Sequence, residues 1–315
     1  FVDTPLGNGQ LMVSGRVGYP KLALLAAESI GAVNEGTKLN YWDGQLRYGF
    51  PIGRRSHAEL IWLGSFDNIN LPGVSDNPRA GASRLEFHRV ETRLVHQIAR
   101  GEIGAALRFG YDYSELGDAL RVQSFSVGPR VWSRFKFGAH SLRAGAEIYT
   151  FAGDVDDRDG TLASPDGDIE VSLPNVAGAG TRNQGGLWTE AHLVTSPRTR
   201  LDLGLRLDYW SVQSEIDLAV DPRLRFAFDA TDALELHAAF GLAHQPAVFL
   251  LPVPGLTDLG LDEGLTRAIQ AEVGAELELP ADITLEVQGY LHHYDGILLP
   301  ELVSDGAVRD DPPLS

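Results

Sequence analysis

Residues 201–245 read LDLGLRLDYWSVQSEIDLAVDPRLRFAFDATDALELHAAFGLAHQ and hold three segments in which apolar and polar residues alternate. Leu201, Leu203, Leu205, Leu207 and Tyr209 fall on one face, against Asp202, Gly204, Arg206 and Asp208. Leu224, Phe226 and Phe228 then oppose Arg223, Arg225 and Asp229. Leu234, Leu236, Ala238, Phe240 and Leu242 oppose Glu235, His237, Ala239 and Gly241. Successive side chains of a β-strand point to opposite faces, so each segment is a strand with one apolar side. Whether that side meets a protein core or lipid decides the class of protein.

The same alternation recurs on both sides of this stretch. Trp42, Leu46, Tyr48 and Phe50 oppose Asp43, Gln45 and Arg47. Ile103, Ala105, Leu107, Phe109, Tyr111 and Tyr113 oppose Arg108 and Asp112, while Val127, Val131, Phe135 and Phe137 oppose Arg130, Arg134 and Lys136. Ala271, Val273, Ala275, Leu277 and Leu279 oppose Gln270, Glu272, Glu276 and Glu278. About thirteen strands follow, many of about ten residues, the length a tilted strand needs to cross a bilayer and longer than the 5–6 usual in soluble domains. Short connections (PIGRR, QIARGE, FGAH, TSPRTR, DATDA, LPAD) alternate with connections that are mostly longer. Short turns at one rim and long loops at the other mark an outer-membrane barrel. Phe135, Phe137, Phe226 and Phe228 stand near the short turns, and Tyr111, Tyr113, Tyr209 and Trp210 near the loops, as two interfacial belts would. Tyr19–Ile30 is the one helical stretch, stopped by Gly31. Residues 152–185 form the longest gap between strands.

Composition narrows the classes further. The 315 residues contain no Cys and carry a formal net charge of -17, with no basic stripe that could neutralise nucleic-acid phosphates. Without Cys there is neither a disulfide framework nor a thiolate metal site. The opening FVDTPLGNGQ lacks the basic and apolar regions of a signal peptide, and the chain reads as a piece of a longer protein. A soluble β-barrel or sandwich, its apolar face turned to an internal core, is the competing reading.

Four phrases, LMVSGRVGYPKL, LWTEAHLVTSPRTRLDLGLRLDYW, DPRLRFAFDATDALELHAAFGLAHQP and IQAEVGAELELPADITLEVQGYLHHYDGIL, resemble the barrel of TonB-dependent outer-membrane receptors. The matching elements are Gly204-x-Arg206-x-Asp208-Tyr209, Pro222-Arg223, Gly241 with Gln245-Pro246, Gln270-x-Glu272-x-Gly274-x-Glu276, and Tyr294-Asp295. The resemblance implies an all-β fold, a transmembrane antiparallel up-and-down β-barrel in the bacterial outer membrane. Barrels of this family have about 22 strands around a plugged lumen. Residues 1–315 are therefore expected to be a partial barrel domain, without the plug domain and the terminal strands. The implied function is receptor and transporter, importing a ferric siderophore, cobalamin or a saccharide with energy delivered by TonB. The implied partners are outer-membrane lipid and lipopolysaccharide, the small-molecule substrate, and the TonB complex acting through the plug; nucleic acid is excluded. A plug-less porin-type passive channel and a soluble carbohydrate-binding β protein are the alternatives.

No element carries a nucleophile with an adjacent base or a phosphate-binding loop, so neither catalysis nor a cofactor is expected. The acids Glu272, Glu276 and Glu278 are read as ion-pair partners of wall arginines such as Arg223 and Arg225, or of a plug. Residues 154–160, DVDDRDG, match half a calcium loop, but Val155 stands at the first ligand position, and a solvated acidic loop is the better reading. His292 and His293 are adjacent and point apart, His237 and His244 differ in parity, and no metal site is expected. Arg108, Arg130, Arg134, Arg206, Asp208, Arg223, Arg225, Glu272 and Glu276 are the residues expected to line the lumen or hold the plug. Loops 152–185 and 246–264 are expected to meet substrate.

Overall fold

A computed structural model describes the chain except residues 19, 71, 73–81, 118–119, 158–160, 164–169, 173–179, 213–214, 247–260, 262–263, 282, 297–301 and 304–315. One 14-stranded antiparallel sheet dominates. Its strands are β1 (Val2–Leu6), β2 (Gly9–Gly18), β3 (Lys38–Ile52), β4 (Ser56–Asn70), β5 (Ala82–Ile98), β6 (Gly101–Leu116), β7 (Leu120–Phe137) and β8 (His140–Asp157). Beyond two three-residue strands, β9 (Thr161–Ala163) and β10 (Glu170–Ser172), it continues with β11 (Gly180–Ser196), β12 (Thr199–Val212), β13 (Glu215–Asp229), β14 (Leu234–Pro246), β15 (Leu265–Leu279) and β16 (Ile283–Asp295). Strand order follows chain order throughout, and the wall is open, with β1 and β16 as its edges. β9 and β10 form a small separate sheet with β17 (Leu302–Val303).

The apolar faces point outward. Leu203, Leu205 and Leu207 are 41%, 42% and 43% exposed, whereas Asp208 on the alternate parity of the same strand is 8% exposed. Asp112 and Asp221 are buried likewise. In water this arrangement would expose a continuous aliphatic surface and bury charge, both unfavourable. In a bilayer it is the stable one. No helix among the described residues is long and apolar enough to cross a membrane, which says nothing of crossing by strands.

Most strands are longer than the alternation predicts, 13 to 18 residues from β3 to β16 apart from β9 and β10. The extra length lies where the outward face stops being apolar, as at Asp154–Asp157 of β8, which pairs with Gln123–Leu120 of β7. Beyond the lipid both faces of a strand meet water, so the period-two signal fades there. The expected loop 152–185 is shorter for this reason: β8 and β11 run into it, and β9 and β10 lie within it. Asp154–Asp157 therefore form strand, not the first half of an ion-binding turn, while 158–160 fall outside the described residues. The alternation also missed β1 and the first half of β13, where Ile216, Leu218 and Val220 point outward ahead of Pro222.

Helix α1 (Lys21–Ser29) occupies the connection between β2 and β3. It stops as expected at Gly31, whose φ of 69° suits the left-handed turn. The Gly31 N–H donates to Glu28 O and the Ala32 N–H to Ala27 O, so two terminal carbonyls are satisfied in a Schellman arrangement.

Rings lying over glycines knit the wall. Trp132 covers Gly104, Trp188 covers Gly145 and Tyr149 covers Gly128, each ring leaning from its own strand onto the preceding one in the sheet. A methyl group at Gly128 would stand 2.1 Å from Tyr149 Cδ1. Gly128→Ala is expected to lower stability by about 1–3 kcal/mol, the usual range for overpacking. The shift in unfolding midpoint of the folded barrel in detergent measures it. Adding Tyr149→Ala should remove most of the increment, because the clash then has no partner.

Candidate functional site

The inner face carries a ladder of ion pairs spanning adjacent strands. Arg47 of β3 meets Glu59 of β4 at 2.5 Å, and Glu59 also lies 3.4 Å from Arg93 of β5. Glu91 then joins Arg93 at 2.6 Å to Arg108 of β6 at 2.7 Å. The Arg108 guanidinium lies 5.6 Å from the centre of the Tyr149 ring, next to Glu147 on the same strand, β8. Glu147 sits 3.7 Å from Arg130 of β7 and 2.9 Å from Arg206 of β12, and Arg206 holds Asp208 at 2.7 Å. The bridge from β8 to β12 passes over Gly186 of β11, which is in register with both Glu147 and Asp208. A Cβ there would come within 2.4 Å of Asp208 Oδ1 and 2.8 Å of an Arg206 nitrogen, so only glycine leaves the bridge room.

Beside this ladder lies a cavity of about 710 Å³, bordered by side chains from β7 round to β16. Eight neighbouring strands can border one space only if the sheet curls around it. Arg130, Arg143, Arg206, Arg223 and Arg225 face it together with Glu190, Asp202, Asp221, Glu272 and His292. Towards the long-loop rim the inner face turns apolar. Leu120 and Val122 are 1% exposed, and Trp210, Val212 and Ala219 bury with Leu261 from the β14–β15 connection.

All nine residues expected on the wall, Arg108, Arg130, Arg134, Arg206, Asp208, Arg223, Arg225, Glu272 and Glu276, have inward parity, but they do not form one cluster. Arg108, Arg206 and Asp208 belong to the ladder, and Arg130 touches it through Glu147. Glu276 stands in register between Glu235 and Glu286. Glu272 does not meet Arg223 or Arg225; it lies 3.5 Å from His237, and Ala239 of β14 separates it from Arg225 in the register.

Two further expectations are corrected. Trp210 is not part of the outward belt: it shares the parity of Asp208 and is buried inside. The outward belt near the long loops instead runs through Trp42, Trp62, His88, Tyr111 and Phe125, with neighbouring ring centres 5.1 to 6.3 Å apart. His237 and His244 do not face apart, since His244 Nδ1 meets the buried Asp221 at 2.6 Å. The β13–β14 ladder ends at Arg223 and Gly241, next to Pro222, which has no N–H to donate. Asp221 takes over there and accepts from the His244 backbone N–H.

The carboxylates that organise the ladder, Glu59, Glu91 and Glu147, escaped the sequence reading, although the polar faces already held all three. Counting register outward from the short β5–β6 turn would have paired Glu91 with Arg108, whereas Glu59 and Arg93, also directly opposite each other, lie on β4 and β5, which a long connection joins. Glu147 and Arg206 are not on adjacent strands, so no hairpin count reaches them. Of the loops expected to meet substrate, 158–160, 164–169, 173–179, 247–260 and 262–263 fall outside the described residues. Among the described residues no group of three His, Asp or Glu could hold a metal ion.

No curated protein sequence matches the chain. Solved structures do resemble it. A ferric enterobactin receptor (PfeA) mutant from Pseudomonas aeruginosa superposes with a TM-score of 0.65 at 14% identity, covering 93% of this chain and 49% of that one. A Serratia marcescens hemophore receptor, HasR, in complex with its hemophore HasA and heme, gives 0.61 at 16% identity, covering 91% and 50%. The copper transporter OprC gives 0.63 at 14% identity, covering 90% and 49%. At such identities the likeness is one of fold, and the chain spans about half the length of these structures. A family model, TonB dependent receptor-like, beta-barrel, matches residues 25–307. With an aliphatic outer face, an ion-paired inner face and that match over most of its length, the chain belongs to the TonB-dependent receptor β-barrel family of the bacterial outer membrane.

Proposed function

We propose that this segment is part of the wall of an uptake receptor that binds a scarce small molecule outside the cell and imports it with TonB-derived energy. One observation carries the reading. Below its apolar upper end the inner face is an ion-paired wall curled around a cavity, while the outer face is apolar enough for lipid. A path for solute through a membrane needs both. The related structures named above include receptors for ferric enterobactin and for a heme-carrying hemophore, and a copper transporter. Metal chelates, ferric siderophores first, are therefore the favoured cargo class, with cobalamin and saccharides behind them. A plug domain in the complete protein would sit against the inner wall and couple to the TonB complex. Outer-membrane lipid and lipopolysaccharide would contact the outer face. The wall residues bind and guide, and no covalent step is assigned to them.

The test is uptake in cells with and without the gene, offering ferric siderophores, cobalamin and oligosaccharides in turn. Saturable import that stops when the proton-motive force is collapsed is the expected result. Flux that rises linearly with concentration and survives the collapse would instead make the protein a passive channel.

A further inference from the structure

Towards the long-loop rim the wall is split between β13 and β14. Their ladder runs from Asp229–Glu235 to Arg223–Gly241 and stops, although β13 reaches on through Pro222 to Glu215 and β14 through Leu242 to Pro246. Among the described residues, no other junction of the sheet leaves five or more residues unpaired on both strands. Pro129 also interrupts a ladder, yet β7 and β8 pair again above it at Val127 and Thr150. At Pro222 the Asp221 carboxylate enters instead, meeting the His244 ring at 2.6 Å and accepting from the His244 backbone N–H at 3.3 Å, and the strands do not rejoin. Exposure marks the gap. Below Pro222 on β13, Leu224 and Phe226 are 42% and 41% exposed, whereas Ile216, Leu218 and Val220 above it are 67%, 76% and 53%, because no strand covers their β14 flank.

The split has an apolar front and a polar base. Ile216, Leu218 and Val220 line the front and point at lipid. Behind its upper part, Ala219 packs from the inside against Leu261, Trp210 and Val212. At its base, Asp221, Ala243 and His244 border a cavity of about 210 Å³ on the inner face, shared with Tyr149, Arg206 and Asp208. Free backbone N–H and C=O groups cannot be left dry inside a bilayer, and this cavity is where water reaches the two open edges. The five unpaired residues of β14 offer about 17 Å of such edge. A plain hydrocarbon leaves the base unsatisfied, and a fully polar solute leaves the front unsatisfied. We infer that the split seats a single-tailed amphiphile taken up as cargo, with its polar head in the cavity at the base and its alkyl chain along Ile216, Leu218 and Val220. The cavity carries charges of both signs, so the alkyl chain, not the charge of the head, is what this site selects. A resident bilayer lipid does not fit, because its headgroup is fixed at the membrane surface, whereas the polar end of the split is the lower one. The inference names a cargo class for the receptor proposed above and rests on that reading for import alone.

The test uses the complete protein in lipid vesicles and two photoreactive palmitates, one with a diazirine at the chain end and one with it beside the carboxylate. Adducts are mapped by peptide mass spectrometry. The chain-end probe is expected to label residues 216–220 and 242–246 saturably, and excess plain palmitate to compete it away. The head-end probe is expected on Ala243 and His244. Filling the split with Val220→Trp lowers the labelling tenfold or more, whereas Leu203→Trp, on the paired β12, leaves it unchanged. Saturation and competition in the unsubstituted protein decide the matter even where a variant does not fold. Labelling that spreads evenly over the outer face and rises linearly with probe is ordinary lipid contact and overturns the inference. So does a head-end probe that labels only the outward aromatic belt. A flux independent of TonB removes the receptor reading and leaves the adduct map unchanged, so the two failures are distinguishable.

Discussion

Replacing Leu205 by arginine is expected to destabilise the folded barrel in a bilayer by about 2–4 kcal/mol, the range for a basic residue at mid-membrane on a lipid-facing strand. Leu205 lies mid-strand in β12, between Thr189 of β11 and Pro222 of β13, and points outward at 42% exposure. The substitution discriminates sharply. On a soluble protein an exposed leucine of this kind would tolerate arginine to within about 0.5 kcal/mol. Urea unfolding in lipid vesicles gives the number, with Leu205→Ala as the control for lost apolar area alone. An arginine variant as stable as wild type in vesicles would turn the outer face away from lipid and undo the fold argument built on it.

The second large effect is expected at Arg206. Its guanidinium joins Glu147 at 2.9 Å and Asp208 at 2.7 Å, and Asp208 is 8% exposed. Arg206→Leu leaves the mostly buried Asp208 without a cation and Glu147 with only Arg130, at 3.7 Å. Breaking a buried ion pair by removing one partner costs about 3–5 kcal/mol, chiefly through the charge left unpaired. Neutralising those acids should recover much of the loss, so the triple variant Arg206→Leu/Glu147→Gln/Asp208→Asn is expected to be more stable than Arg206→Leu alone. The comparison of unfolding midpoints in detergent tests this. If the single variant lost under 1 kcal/mol, the wall charges would be as weakly coupled as ordinary surface pairs.

The membrane-crossing middle of each strand was legible in the sequence because lipid on one side and water on the other force strict alternation, as at Leu201–Tyr209. Above the lipid that constraint lapses, and the end of β8 went unread, whereas the first half of β13 still alternates through Ile216, Leu218 and Val220. Turn residues located the short-turn rim correctly, and Gly31 placed the end of helix α1. Wall residues were identifiable by parity alone, Arg206 and Arg223 among them. Their partners were not, because pairing depends on register between strands distant in sequence. The Glu147–Arg206 bridge spans 59 positions and needs Gly186 beneath it. His244 shows the opposite failure: parity put it outside, but Pro222, directly after the buried Asp221, ends the ladder so that Asp221 captures the ring.

A wall whose strand order repeats its chain order also constrains how it can be built. Each of the thirteen junctions of the 14-stranded sheet joins strands that are successive in it, so each pairing closes a comparatively short piece of chain. The sheet can therefore lengthen as a ribbon, one hairpin at a time, without distant parts having to find each other first. The exception is the seam that shuts a barrel, which brings together its two outermost strands. Closure entropy rises slowly with chain length, about 0.6 kcal/mol for each doubling, so the seam is hindered less by equilibrium cost than by the search it requires. Until it forms, the row of free N–H and C=O groups along each outermost strand stays open to any other strand.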